Sequence, residues 1–82
     1  MPSRPNIEYY DVRDYGSANR AVDTIESNQE WAILHYQQFG HEDDHYEIWV
    51  EGHSYSRGYS LREAQDIIQG AIERFMRGNP DW

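Results

Sequence analysis

Residues 31–51 read WAILHYQQFGHEDDHYEIWVE, and this stretch decides the fold. From Glu30 onward the residues follow a period of two, which is typical of β-strands. Two runs rich in aromatic and aliphatic residues, Trp31–Phe39 and His45–Glu51, flank the polar segment 40–44. Strand-like runs on either side of a short polar segment predict a β-hairpin, here with an acidic tip.

The two faces of this hairpin are predicted to carry different residues. Pairing the runs about Glu42 gives one face a core set: Ala32, Leu34, Tyr36, Tyr46, Ile48 and Val50. The second face then carries Trp31, Ile33, His35 and Trp49, fringed by Glu47 and Glu51. Such a face exposes more apolar area than a monomer usually tolerates. We therefore expect the first helix, a second copy of the chain or a foreign protein to cover it.

A C-terminal helix follows the hairpin. Residues 60–63, Ser-Leu-Arg-Glu, form a capping box. The helix carries a broad apolar stripe made of Leu61, Ala64, Ile67, Ile68, Ala71, Ile72, Phe75 and Met76. Gly78 and the Asn79-Pro80 pair are expected to end it.

The N-terminal third predicts one strand and one helix. Met1–Asn6 contains two prolines and no periodic pattern, so we interpret it as a mobile arm. Ile7–Val12 alternates weakly and predicts a short edge strand. Ser17 is the expected N-cap of a helix ending near Asn28, whose apolar face consists of Ala18, Ala21, Val22 and Ile25. Residues 7–82 are thus expected to form one α+β domain of order β-α-β-β-α, a two-layer structure with an antiparallel sheet and both helices on one face.

The charge balance restricts the possible partners. The chain of 82 residues has seven arginines, no lysine and 15 acids, a net charge of −8. Residues 1–55 hold 11 acids and three arginines, whereas 56–82 hold four of each. Free nucleic acid should be repelled and a basic protein surface attracted. The alternative is that the acids only keep a small protein in solution.

Other classes of protein find little support in the composition. With no cysteine, the chain can form neither a disulfide nor a thiolate metal site, which agrees with a cytoplasmic location. Its longest apolar run, Trp31–Leu34, is far too short to cross a membrane. We therefore expect a cytoplasmic protein without a membrane partner, in the host cytoplasm if a phage encodes it.

One string resembles a catalytic motif. His41–His45 reads H-E-D-D-H and matches the H-E-x-x-H pattern, which binds zinc when a helix places both histidines on one face. Gly40 and the paired Asp43 and Asp44 favour a turn instead. A solvated acidic tip is the favoured interpretation, and a weak metal site involving His41 and His45 is an alternative. Since no phosphate loop or nucleophile elbow is present, we predict no enzyme, no catalytic residue and no cofactor.

Binding to a protein is the remaining hypothesis. Residues 53–59, HSYSRGY, have the composition of a binding loop, although an ordinary connection to the helix explains them too. Residues 45–78 resemble small prokaryotic and phage proteins of unknown function in their strand-loop-capped-helix pattern. In size, acidity and aromatic content the chain looks like phage-encoded inhibitors, including anti-CRISPR proteins. That resemblance implies carboxylates that imitate nucleic-acid phosphates on the basic surface of a nucleic-acid-binding protein.

The residues predicted to bind this partner lie mostly in the hairpin and the loop after it. They are Glu42, Asp43, Asp44, Glu47, Trp49, Glu51, Tyr55, Arg57, Trp31 and His35. The competing hypothesis is a structural or assembly protein that forms a homodimer through the aromatic sheet face.

Overall fold

The sheet contains one strand more than the sequence predicts. The computed structural model describes residues 4–38 and 43–77. Its elements are β1 (Ile7–Val12), α1 (Tyr15–Asn28), β2 (Trp31–Tyr36), β3 (His45–Val50), β4 (His53–Gly58) and α2 (Leu61–Met76). The strands are ordered β1-β2-β3-β4 in a single sheet. The α+β class is confirmed, with four strands and two helices.

The sheet is mixed rather than antiparallel. β1 runs parallel to β2, with Ile7 opposite Trp31 and Val12 opposite Tyr36, whereas the other two pairs of strands are antiparallel. A parallel pair needs a connection that carries the chain back to the starting end, and α1 is that connection. The predicted all-antiparallel sheet is wrong for this reason.

The pairing of the first hairpin differs from the predicted pairing by an odd number of residues. Ala32 lies opposite Trp49 and Ile33 lies opposite Ile48, so the residue numbers of each observed pair add up to an odd number. In the predicted pairing about Glu42, the residue numbers of each pair add up to an even number. Since side chains alternate between the two faces, this difference moves one whole strand's set to the other face. Trp49 therefore shares a face with Ala32 and Leu34, and Ile48 shares the other with Ile33.

The two helices pack on opposite faces of the sheet. α1 buries Ala18, Ala21 and Ile25 against a set that comprises Val12, Ala32, Leu34 and Trp49. α2 buries Ala64, Ile68, Ala71 and Ile72 against Trp31, Ile33, Ile48 and Val50. The prediction of both helices on one face is wrong, and so is the open aromatic face. Trp31 is 6% exposed because α2 covers it, and Trp49 is 7% exposed because α1 covers it.

The predicted loop 53–59 is largely a strand. β4 pairs with β3 through a two-residue turn in which Glu51 and Gly52 both have positive φ, 49° and 79°. Two positive φ values are the mark of the type I′ turn that suits a hairpin. The backbone N–H of Gly52 also donates to the carbonyl oxygen of Glu30 at 3.0 Å, which ties this turn to the end of α1. The predicted loop is wrong because an edge strand can be polar on most positions, as β4 is.

The helix caps partly follow the prediction. α2 begins after Ser60, whose hydroxyl accepts from the backbone N–H of Glu63 at 3.1 Å. The Glu63 carboxylate accepts from the N–H of Tyr59 at 2.6 Å rather than from that of Ser60. α1 is capped by Asp14, and Ser17 is the N3 residue of its capping box, so the predicted Ser17 cap is wrong by three residues. α1 ends at Asn28 as predicted.

Some predicted features fall outside the described residues. These are Gly78 and Asn79-Pro80 after α2, residues 1–3 of the N-terminal arm, and Glu42 with His41 at the hairpin tip. Within the arm, Arg4 donates to the side-chain oxygen of Gln69 on α2 at 2.8 Å. In the two described ranges, neither helix has the length and apolar content that a membrane span requires.

Candidate functional site

A repeated His-Tyr dipeptide organises one end of the sheet. We call it the β2–β3 end, because β2 leads into β3 there; Val12, Tyr36, His45 and Gly58 mark it. The antiparallel register places His35 opposite Tyr46 and Tyr36 opposite His45. Both pairs stack, with ring centroids 4.4 and 4.8 Å apart and interplanar angles of 7° and 4°. Since neighbouring residues alternate, the two stacks lie on opposite faces of the sheet.

His35 lies between two carboxylates from different parts of the chain. Its Nδ1 is 3.1 Å from Oδ1 of Asp11 on β1, and its Nε2 is 3.0 Å from Oδ2 of Asp44. A neutral imidazole carries one N–H, so both contacts are hydrogen bonds only when the ring is the doubly protonated imidazolium. The Asp44 carboxylate also accepts from the backbone N–H of Gln38 at 2.9 Å. We call Asp11, His35, Asp44 and Tyr46 the His35 cluster.

On the other face, beside the stack of Tyr36 with His45, lies Glu47. Its Oε1 accepts from the Tyr36 hydroxyl at 3.1 Å and from the Trp49 indole N–H at 3.3 Å. Burial, followed by the nearby Glu47 charge, raises the pKa of Tyr36 to about 12. Arg57 Nη2 lies 4.0 Å from the second oxygen of Glu47. Glu47 is therefore an internal acceptor for two aromatic side chains, with little capacity left for a partner.

A groove opens beside the His35 cluster. Its volume is about 200 Å³, and its walls come from β1, β2, β3 and the first turn of α2: Tyr9, Tyr10, Asp11, Ile33, His35, Tyr46 and Leu61. α2 packs mainly on β3 and β4, so the groove lies beside the first turn of this helix, and Ile33 within it is buried. Tyr9 is 57% exposed and Leu61 44% exposed, two of the four exposed large hydrophobic residues in the described chain. The other two, Tyr15 and Tyr59, follow β1 and β4 at the β2–β3 end.

The structure brings together only part of the predicted partner-binding set. Asp43 and Asp44 are exposed at the β2–β3 end near His35. Glu51 lies in the turn at the other end of β3, about 20 Å away for a strand of this length. The predicted anchors Trp31 and Trp49 are buried, which contradicts their use as exposed contacts.

The remaining predicted residues lie on β4 or outside the described chain. Tyr55 packs against the core under α2 and accepts a hydrogen bond from Arg74. Arg57 is half exposed beside Glu47. Glu42 lies outside the described residues, so its role stays a prediction.

Of the seven residues that line the groove, the predicted partner-binding set contains one, His35. Tyr9 and Asp11 are two positions apart on β1, so a period-two interpretation of Ile7–Val12 could have placed both on one face. Leu61 was assigned to the apolar stripe of α2, yet it lies at the helix start, beyond the part that packs on the sheet. The contact between Asp11 and His35 joins residues 24 positions apart, and no local pattern indicates it.

The chemistry available at this end is the binding of cations. Carboxylates, imidazole and phenol rings offer hydrogen-bond acceptors and aromatic faces. Within residues 4–38 and 43–77, no group of three or more histidine and acidic side chains is arranged to hold a metal ion. The two carboxylates of the His35 cluster lie on opposite ring nitrogens, which keeps them apart. His45 is buried, and its Nδ1 donates to the carbonyl oxygen of Asp43 at 3.2 Å.

Comparisons with family models, curated proteins and solved structures found no match to this chain.

Proposed function

We propose that this protein acts by binding a protein partner with a basic surface, and that Asp11, Asp43 and Asp44 at the β2–β3 end make the central contact. The supporting observation is that most carboxylates are exposed and few are paired with an arginine. Thirteen of the 15 acids lie in the described ranges, since Glu42 and Asp81 do not, and ten of those thirteen are exposed. Within the same ranges, a single arginine–carboxylate pair, Arg57 with Glu47, comes within 4.0 Å. Most of the negative charge is thus offered to solvent, although Asp11 and Asp44 share the single imidazole of His35.

The β2–β3 end combines this charge with exposed apolar area. Interfaces need buried aromatic or aliphatic anchors as well as charges, because exposed ion pairs alone contribute little. Tyr59 follows β4 at this end, and Tyr9 and Leu61 line the groove that Asp11 also lines. Tyr9, Tyr59 and Leu61 replace Trp49 as the expected anchors, because Trp49 is buried.

A partner that binds nucleic acid suits this chemistry. Its lysines and arginines are arranged to receive phosphates, and carboxylates spread over a rigid sheet end can occupy the same positions. Binding there would exclude the nucleic acid, so the protein would act as an inhibitor. Electrostatic attraction would also speed the encounter and make the affinity fall as salt rises.

Affinity capture with three forms of the protein tests this proposal. The baits are the wild type, the variant Asp43→Asn with Asp44→Asn, and a control, Asp23→Asn with Glu26→Gln, which removes the same charge from exposed positions of α1. We expect one basic protein to be held by the wild type and the control. Its capture by the first variant should fall about tenfold, because each exposed ion pair contributes up to ~1 kcal/mol.

The salt dependence gives the second criterion. Capture by the wild type should weaken between about 50 and 300 mM salt, as screening shortens the range of the charges. A partner held equally by all three baits, or one whose capture ignores salt, would contradict the proposal. Thermal unfolding of each bait checks that the substitutions leave the fold intact.

A further inference from the structure

We propose that the groove beside the His35 cluster binds the side chain of an arginine presented by the partner protein. This inference rests on the proposed function, because it names the residue type that the β2–β3 end recognises. The groove, of about 200 Å³, is smaller than the pockets of about 300–1,000 Å³ that hold drug-sized ligands. It is therefore suited to one side chain rather than to a free small molecule.

The charge in the groove selects a cation. Asp11 lines it, and Asp44 lies behind His35 at 3.0 Å from Nε2. No arginine is among the lining residues of this groove, and the chain contains no lysine. His35 lies between the two carboxylates, so at most one positive charge faces two negative ones. The Asp11 side chain is 65% exposed, and its Oδ1 lies 3.1 Å from His35 Nδ1, so the carboxylate is still open to a donor from a partner.

The arrangement along β1 favours a planar cation. Tyr9 and Asp11 are two residues apart on one strand, so their side chains leave the same face about 7 Å from each other. A guanidinium can donate to the carboxylate while its plane covers a phenol ring, which an ammonium does less well. Leu61 on the opposite wall offers an apolar contact for the methylene stem. Arginine therefore fits better than lysine.

A titration with blocked tripeptides tests the inference without the partner. The probes are N-acetylated, C-amidated Gly-Arg-Gly and its lysine counterpart, followed by amide chemical shifts of the full chain. We expect the arginine peptide to shift the amides of Tyr9, Asp11, His35, Tyr46 and Leu61 and to bind more tightly than the lysine peptide. Shifts of similar size for both peptides, or shifts spread along α1, would overturn the inference.

Variants locate the binding in the groove. Asp11→Asn should weaken binding of the arginine peptide about tenfold, because it removes a charge-assisted hydrogen bond. Tyr9→Ala should weaken it about two- to fivefold through the lost cation–π contact. Two controls should leave the affinity unchanged: Asp23→Asn removes the same charge on α1, and Tyr15→Ala removes an exposed tyrosine outside the groove. Equal weakening by the controls would also overturn the inference.

The two proposals can fail separately. If the arginine peptide ignores the groove while Asp43→Asn with Asp44→Asn still releases the captured protein, the docking surface stands and the arginine site is wrong. If the peptide binds in the groove but the captured protein is insensitive to salt and to the acids, the proposed function is wrong.

Discussion

The turn between β3 and β4 gives a sharp test of the fold, because Gly52 has to be a glycine there. Its φ is +79°, and a Cβ at this position would lie 3.1 Å from Cα of Gln29 and 3.3 Å from the carbonyl oxygen of Ile25. Both neighbours are backbone atoms, which cannot rotate away. The substitution Gly52→Ala should therefore destabilise the protein strongly.

The magnitude follows from three contributions. A left-handed conformation costs a residue with a Cβ about 1–2 kcal/mol. Crowding in a packed region adds about 1–3 kcal/mol. The smaller entropy of the unfolded chain returns about 0.4–1 kcal/mol. The net loss should be about 1–5 kcal/mol, centred near 3 kcal/mol, which corresponds to roughly 10–20 °C in melting temperature at the centre of the range for a domain of this size.

Gly70 in α2 provides the matched control. A Cβ there would meet nothing closer than an Arg74 nitrogen at 4.0 Å, so Gly70→Ala should stabilise the protein. The gain should reach about 0.8–1 kcal/mol, the difference in helix propensity. Urea unfolding followed by circular dichroism measures both variants. A Gly52→Ala variant as stable as the wild type would refute the turn and its contact with α1.

Three further predictions concern single side chains. Ser60→Ala should lower the free energy of unfolding by about 1 kcal/mol, measured by urea unfolding, because the N–H of Glu63 loses its acceptor. Trp49→Ala should lower it by about 3–5 kcal/mol, since this side chain is buried, and an unchanged stability would indicate an exposed one. The hydrogen bond from Tyr10 to Glu30 raises the pKa of Tyr10 from 10.0 to about 12, and burial raises that of Tyr36 equally. The two tyrosines therefore contribute fully to stability below pH 10, and this contribution is lost as the pH rises toward 12. Tyr10→Phe with Tyr36→Phe should flatten that alkaline decline in unfolding experiments, and an identical decline would contradict the assignment.

Local signals in the sequence predicted the elements better than their arrangement. Ile7–Val12 and the N-cap Ser60 were placed correctly, since each depends on a few neighbouring residues. The pairing of β2 with β3 was predicted wrongly. Eight residues, 37–44, separate the last pair, Tyr36 and His45, and these eight residues contain no turn signature that fixes a register.

The errors in arrangement have two origins. The odd difference in register exchanges the predicted faces of Ile48 and Trp49, so Trp31 and Trp49 lie on opposite faces of the sheet instead of sharing one. A glutamate with positive φ at position 51 hid the second turn, because such a residue is uncommon there. β4 was consequently interpreted as a loop.

The sequence predicted the acidic residues of the candidate site but not which other residues lie beside them. Asp43 and Asp44 stand out in the sequence as adjacent acids at a hairpin end, and the structure exposes them there. Asp11 and Leu61 reach the same end from distant parts of the chain, through the parallel strand and the start of α2. Only the tertiary fold brings them together with His35.

The most direct test of the central claim is the affinity of the captured protein, once identified, for the wild type as a function of salt. The account predicts a basic partner whose dissociation constant rises steeply between about 50 and 300 mM salt. It also predicts that Asp43→Asn with Asp44→Asn weakens binding about tenfold at the lower salt and less at the higher, while the α1 control behaves as the wild type. A partner that binds with the same affinity at both salt concentrations, and equally to all three proteins, would contradict it.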